Sequence, residues 1–324
     1  MGEIIATRLP SLKCPSCHRE MAELPLAGGT ATCFEECRRR CVECNIGASN
    51  AIDPASVTYI YADPIESIPQ ESRDGAKETL CRALNVRNQP SKWKKFGFVP
   101  TSEDAVTWVV FTYLLRAGKL QGALQRVGLV DLGISPPASL LLWGVPIGID
   151  VRANQLREEL HRLCVRLGES DNSCSEPDVM IDIGEGGLIF IEVKLRSGND
   201  LKRGDYPGWN KYLSPSNLSW NMKAVRASGC YELARNWRLM TELAGIRPAT
   251  LVNLGPPALW RGESGVRVEE FVAALNLGEG RRFERLPWES LMEEVLSDTP
   301  EWFKDFCAER VGDVDFGANG RRRR

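Results

Sequence analysis

Glu176-Pro177-Asp178-Val-Met-Ile-Asp-Ile183, the turn Gly184-Glu-Gly-Gly187 and Leu188-Ile-Phe-Ile-Glu-Val-Lys194 form the stretch that decides the fold. The two apolar runs read as β-strands and the glycine-rich tetrad as the turn between them. Side chains alternate along a strand, so Glu192 and Lys194 emerge on one face while Ile191 and Val193 emerge on the other. A tight antiparallel hairpin brings Asp178 back beside Glu192. Two adjacent carboxylates suit Mg²⁺ through oxygen ligands, and an ammonium on the same face reaches the same phosphate, so the spacing suits metal-assisted phosphodiester cleavage. The competing account is a surface hairpin ending in an ordinary Glu-Lys pair. The apolar run before Glu192 argues instead for a buried central strand.

Pro177, Asp178, Glu192 and Lys194 together resemble the motif of the PD-(D/E)XK nuclease superfamily, the fold of many restriction enzymes and recombination nucleases. The resemblance covers Thr101 to Leu254 at most. It implies an α/β protein with a restriction-endonuclease-like core, a mixed β-sheet flanked by helices. It also implies a glutamate on a helix before the hairpin that points into the metal site, and Glu103 in Thr101-Ser-Glu-Asp-Ala-Val-Thr-Trp108 matches that residue. An acid in a first helical turn also complements the helix dipole without any catalytic role. A polar residue from the helix after the motif is implied as well, with Arg235 first and Glu232 second. Those two side chains equally suit a surface ion pair at i,i+3. Asp178, Glu192 and Glu103 are then the Mg²⁺ ligands, with the Val193 carbonyl alongside. Lys194 positions the water or neutralises the phosphate. The implied activity is Mg²⁺-dependent endonucleolytic hydrolysis of DNA, of restriction or anti-phage type, leaving a 5′-phosphate and a 3′-hydroxyl. RNA stays open as a substrate. One active site cuts one strand, so a homodimer or a partner subunit is the expected route to a double-strand break.

Six of the eleven cysteines fall between positions 14 and 44. Cys14-Pro-Ser-Cys17 and Cys41-Val-Glu-Cys44 are separated by twenty-three residues. Two such pairs complete a tetrahedral Zn²⁺ site, and the expected ligands are Cys14, Cys17, Cys41 and Cys44. The zinc is read as structural, holding a segment too short to make its own core. Phe34 to Cys44 reads as a helix that aligns Cys33, Cys37, Cys41 and Cys44. On that reading Cys37 is the first substitute ligand, with Cys33 and the adjacent His18 also open. Arg38-Arg39-Arg40 suits either phosphate contact or a solvated helix face. A different class of function follows if the module dominates: a non-catalytic, zinc-dependent nucleic-acid-binding or assembly subunit.

The rest of the 324 residues bounds these readings. A hydrophobic share of 43% and a charged share of 26% are ordinary for a globular protein. No stretch approaches the roughly eighteen apolar residues that span a bilayer, so no membrane partner is expected. The N-terminus lacks the pattern of a secretion signal, and the expected location is cytoplasmic. A net charge of −2 gives no global signal for nucleic acid, but Lys194 to Arg247 holds ten Lys or Arg against four Asp or Glu. Two histidines leave little material for a Ser-His-Asp triad or a His-rich metal site. No internal repeat, Walker-type loop or dinucleotide fingerprint is present.

The expected order along the chain is a cysteine-rich module (1–50) and a connector packing on the core (51–98). The nuclease core (99–255), C-terminal helices (256–311) and a disordered basic tail (312–324) follow. Within this order Thr101 is expected to cap a helix ending at Gly118, with Asp104 completing a capping box. Further helices are expected at about 152–167, 217–227, 230–243, 268–276, 288–296 and 301–311, and a buried strand at Ala249–Leu254.

Overall fold

In the computed structural model, residue 9 and residues 11–25, 29–53, 56–131, 138–213, 220–278 and 280–312 are described. The expected basic tail lies outside them but for Gly312, as do residues 217–219 of one expected helix.

The N-terminal part is an antiparallel sheet of β1 (Ala22–Glu23), β2 (Arg39–Cys41), β3 (Ile46–Ala48), β4 (Tyr59–Tyr61) and, after α1 (Ala76–Leu80) and α2 (Gln89–Phe96), β5 (Phe98–Val99), in that spatial order. Its small core gathers Met21, Cys41, Ile46, Ala48 and Val57. The connector's β4 thus pairs with β3 of the cysteine-rich module, and β5 pairs in turn with β4, while α1 and α2 lie toward the following helix.

The helix expected over Phe34–Cys44 is absent. Only Phe34–Glu36 makes a short 3₁₀ turn, and Arg39–Cys41 is strand, paired on both sides. Cross-strand hydrogen bonds on two flanks outweigh an i,i+4 spacing of small side chains. The Arg38–Arg40 run is correspondingly inward. Arg38 pairs with Glu23 at 2.7 Å, Arg39 is buried and donates to the Ser49 and Ala51 carbonyls, and Arg40 lies over the Phe34 ring. All three serve the module's structure, not a solvated face.

The second sheet holds the motif. After α3 (Glu103–Arg116) and α4 (Leu120–Arg126), β6 (Ser139–Leu142) and β7 (Val145–Pro146) form a hairpin. Next come α5 (Val151–Arg166), β8 (Val179–Asp182), β9 (Leu188–Val193), α6 (Trp209–Tyr212), α7 (Met222–Ser228), α8 (Tyr231–Ala244) and β10 (Ala249–Gly255). The described chain closes with α9 (Gly262–Ala274), β11 (Arg281–Pro287), α10 (Trp288–Val295) and α11 (Glu301–Val311). The strand order is β11-β10-β9-β8-β6-β7; β9, β10 and β11 run parallel, and β9-β8-β6-β7 are antiparallel neighbours. This is a mixed sheet in an α/β protein.

Alternation gives each sheet face its own layer of helices. Leu140, Leu142, Ile181, Ile189, Ile191 and Val252 pack against Val109, Leu124, Trp288 and Phe303 of α3, α4, α10 and α11. Leu141, Met180, Phe190 and Leu251 pack on the opposite face against Leu160, Leu233, Trp237 and Phe271 of α5, α8 and α9. Each fully buried side chain of this size contributes about 1.5–3 kcal/mol. The hairpin turn is closed by Gly187 at φ 116°, where a Cβ would stand 2.5 Å from the Pro248 carbonyl oxygen. The β6–β7 loop is Trp143-Gly144 with both φ positive, the geometry that matches strand twist in a two-residue hairpin.

The cap of α3 is Ser102, not Thr101: its hydroxyl accepts from Ala105 N at 3.1 Å, because β5 and Pro100 hold Thr101 in the preceding turn. Asp104 is no cap either, since Lys92 draws its carboxylate to 3.8 Å. No helix among the described residues is long and apolar enough to cross a membrane.

Candidate functional site

The register Val179↔Ile191 sets Asp178 opposite Glu192 at the end of the central hairpin. Asp178 Oδ2 accepts the Val193 N–H at 2.8 Å, which fixes the carboxylate against the neighbouring strand. Lys194 lies on the Glu192 face. Its Nζ donates to Glu192 Oε1 at 2.6 Å and to Glu232 Oε2 at 2.9 Å, bridging the strand to α8. One turn on from Glu232, Asn236 Nδ2 donates to Glu192 Oε2 at 2.7 Å. Both Glu192 oxygens are therefore oriented before any ligand arrives.

Burial and charge set the protonation tendencies. Burial, then the neighbouring Glu192, raises the Asp178 carboxyl well above the ordinary carboxylate range, with Lys194 and Lys92 opposing. Burial also raises Glu192, against the pull of Lys194. For Lys194, burial disfavours the ammonium, but Glu192, Glu232, Glu103 and Asp178 outweigh it and hold the charge firmly. At Glu232 burial opposes ionisation, but Lys194 and Arg235 bring the carboxyl down to about 2. Arg235 is likewise disfavoured by burial and held charged by Glu232 and Glu192.

Glu103 sits in the first turn of α3 and lines the same pocket. Its Oε1 accepts from Leu195 N at 2.8 Å, from Arg196 N and Ser197 N, and from Ser197 Oγ at 2.7 Å. The glutamate thus holds the loop that follows Lys194. Among the described residues, Asp178, Glu192 and Glu103 do not form a trio with ligand atoms all within 4.8 Å of one another.

The pocket encloses about 410 Å³. Five carboxylates (Glu103, Asp104, Asp178, Glu192 and Glu232) and three ammoniums (Lys92, Lys95 and Lys194) line it. Several partners carry no motif in the sequence. Lys92 on α2 contacts Glu176 Oε1 at 2.6 Å and lies 5.0 Å over the Trp143 ring, while Glu176 also accepts from Asn85 N. Asn253, opposite Glu192 on β10, bonds Asn199 and Trp260. Trp288 Nε1 donates to the Lys194 carbonyl at 2.9 Å. Only Asn236 had a signal, its i,i+4 spacing from Glu232.

At the other end of the chain, Cys14, Cys17, Cys41 and Cys44 bring their sulfurs within 4.8 Å of one another. Cys17 and Cys41 sulfurs stand 3.6 Å apart, close to the ~3.8 Å edge of a tetrahedron with 2.3 Å Zn–S bonds. His18 and Asn45, each following the second cysteine of a pair, have φ of 59° and 53° and turn the two knuckles alike. The Arg19 N–H lowers the Cys17 thiol to about 7, as a thiolate ligand needs. The donor set fits a zinc ion. Cys33, Cys37 and His18 lie outside this group. Cys37 packs instead under Gly47, where burial pushes its thiol up to about 12.

A second thiol group was not foreseen. Cys164, Glu169 and Cys174 gather within 4.8 Å beneath the end of α5, with Glu169 held by the Tyr212 hydroxyl and Ser175 N, both at 2.5 Å. It anchors both ends of the loop leading to Glu176. His161, on the same helix, is partly exposed near Asp171.

Comparison with family models, curated proteins and solved structures returns no match to the chain.

Proposed function

We propose that the protein is a divalent-metal-dependent nuclease of the PD-(D/E)XK type that hydrolyses DNA phosphodiesters. The observation that carries this reading is the juxtaposition of Asp178 and Glu192 at an open pocket, with Lys194 fixed beside them. The pocket's carboxylates exceed its ammoniums by two, the charge of one Mg²⁺, and burial raises both the Asp178 and Glu192 carboxyls, a cost that a divalent cation at their oxygens would offset. A mixed sheet flanked by helices, with the acid-bearing hairpin at its centre, supports the restriction-endonuclease-like reading of the fold.

Asp178 and Glu192 are the ligands, each oxygen keeping a lone pair beyond its present hydrogen bond. A bound divalent cation supplies a water of lowered pKa and polarises a phosphate oxygen. Lys194 holds the attacking water or stabilises charge growing on the phosphate. Asn236 and Glu232 orient Glu192 and Lys194, and Arg235 keeps Glu232 ionised. Glu103 fixes the backbone after Lys194 through one oxygen, and its second oxygen would be free to help hold the cation. In-line attack leaves a 5′-phosphate and a 3′-hydroxyl.

The test is cleavage of supercoiled plasmid with Mg²⁺, Mn²⁺ or EDTA, beside Lys194→Ala and Glu192→Gln. Metal-dependent nicking is expected, reduced by about 10²-fold or more in each folded variant. Wild-type rates in Lys194→Ala, or no cleavage with either metal, would sink the assignment.

A further inference from the structure

Part of the lining of the pocket comes from α2, which lies outside the motif-bearing segment. Asn88 immediately before α2, with Ser91, Lys92 and Lys95 within it, lines the pocket. Their spacing of i, i+3, i+4 and i+7 makes one continuous helical stripe. The two lysines of this stripe have different surroundings. Lys92 is largely buried and held by Glu176 at 2.6 Å, Asp104 at 3.8 Å and the Trp143 ring. Lys95 is exposed at the pocket rim and forms no ion pair among the described residues.

We propose that the Asn88–Ser91–Lys95 face of α2 is a phosphodiester-binding wall that holds the backbone of a DNA strand at the pocket shared with Asp178 and Glu192. This rests on the nuclease reading and adds to it the surface that binds substrate before metal chemistry begins. The argument is electrostatic. An acid-lined pocket repels a polyanion unless it also presents a free cation, and Lys194 is already paired with Glu192 at 2.6 Å and Glu232 at 2.9 Å. Lys95 is the pocket's cation without an ion pair among the described residues. Asn88 and Ser91 add an amide and a hydroxyl on the same stripe, groups that commonly contact phosphate oxygens and carry no base information. Lys92 is a positioning residue: its pairing with Glu176 and Asp104 ties α2 to the chain just before Asp178 and to the first turn of α3. The wall is therefore set by the same residues that set the acids, and it does not depend on a metal.

Two properties follow. Binding through α2 persists when metal is chelated, and it is indifferent to base sequence. Lys94 serves as an internal control, being the next residue, equally cationic and exposed, but off the pocket stripe.

The experiment measures affinity of the full chain for a fluorescein-labelled DNA duplex in EDTA over a series of salt concentrations. Wild type, Lys95→Ala, Lys95→Glu and Lys94→Ala are compared, with plasmid cleavage in Mg²⁺ run in parallel. Lys95→Ala is expected to weaken binding about five- to ten-fold on any sequence and to reduce the slope of log K against log salt by about 0.9. Lys95→Glu should weaken it further, and Lys94→Ala should leave both quantities near wild type. Equal affinity of Lys95→Ala and wild type would overturn the α2 wall while leaving cleavage, and so the nuclease reading, standing. Equal losses in the Lys95→Ala and Lys94→Ala proteins would overturn it too, by reducing the effect to general charge. Absence of wild-type binding in EDTA would overturn a metal-independent wall, and only if plasmid also stayed uncut would the nuclease reading fall with it.

Discussion

Asp178 is buried beside a second carboxylate, and both effects favour its proton. In the metal-free fold it therefore binds a proton more tightly than in the unfolded chain. Its contribution to stability is fully present below the ordinary aspartate value of 3.8 and is lost as pH rises through the raised folded value. Asn at this position keeps an acceptor for the Val193 N–H and carries no charge to bury. Asp178→Asn should thus raise the stability of the EDTA-treated protein by about 1 kcal/mol at pH 8, with the gain vanishing near pH 4, while abolishing cleavage. Urea unfolding at the two pH values checks this; a gain of the same size at both would contradict the electrostatic origin. The residues most exposed to this test were legible in advance. Asp178, Glu192 and Lys194 are brought together by strand alternation and one tight turn, which are local properties of the chain. Glu232 entered only through the family resemblance, and there behind Arg235. Lys92 and Glu176 were not legible, since 84 positions separate them and only tertiary packing of α2 joins them.

Among the elements, the two cysteine knuckles show what spacing can and cannot reveal. The pairs themselves were readable because a ligand pair from one turn is a local geometry. The path between them was not: an i,i+4 run of small residues suits a helix, but strand pairing of Arg39–Cys41 with both neighbours decides the matter. Strand β11 was missed for the opposite reason. Arg281-Arg-Phe-Glu-Arg-Leu-Pro287 is too charged to read as a strand, but charge is what an exposed sheet edge carries to avoid pairing with another chain. The five-stranded sheet has a core of few side chains, so a zinc ion held by the four cysteines would contribute much of its stability. Cys41→Ser should remove the one tightly bound zinc expected per chain. Amide exchange should then speed up first in β2, β3 and β4, while the six-stranded sheet stays protected. Metal content by colorimetric chelator assay and exchange mass spectrometry check both parts. Retained zinc in the variant would shift a ligand role to another side chain.

Across the whole molecule, the strand that leads into Lys194 is gripped from both sequence directions. From the N-terminal side, β5 runs directly into α3, where Glu103 holds the loop after Lys194. From the C-terminal side, Trp288 at the start of α10 donates to the Lys194 carbonyl, and its ring fills the core beneath the sheet. The C-terminal helices therefore do more than cover apolar surface: they complete the hydrogen bonding of the backbone that carries Lys194. Two substitutions separate these roles. Trp288→Phe keeps most of the packing and leaves a buried carbonyl without its donor, costing about 1–2 kcal/mol. Trp288→Ala adds a cavity and should cost about 3–5 kcal/mol. Urea midpoints measure both. If the indole N–H positions the Lys194 backbone, Trp288→Phe should also slow cleavage under conditions where the variant is fully folded, with substrate affinity in EDTA unchanged. A stable Trp288→Phe protein cutting at the wild-type rate would confine the tryptophan to packing.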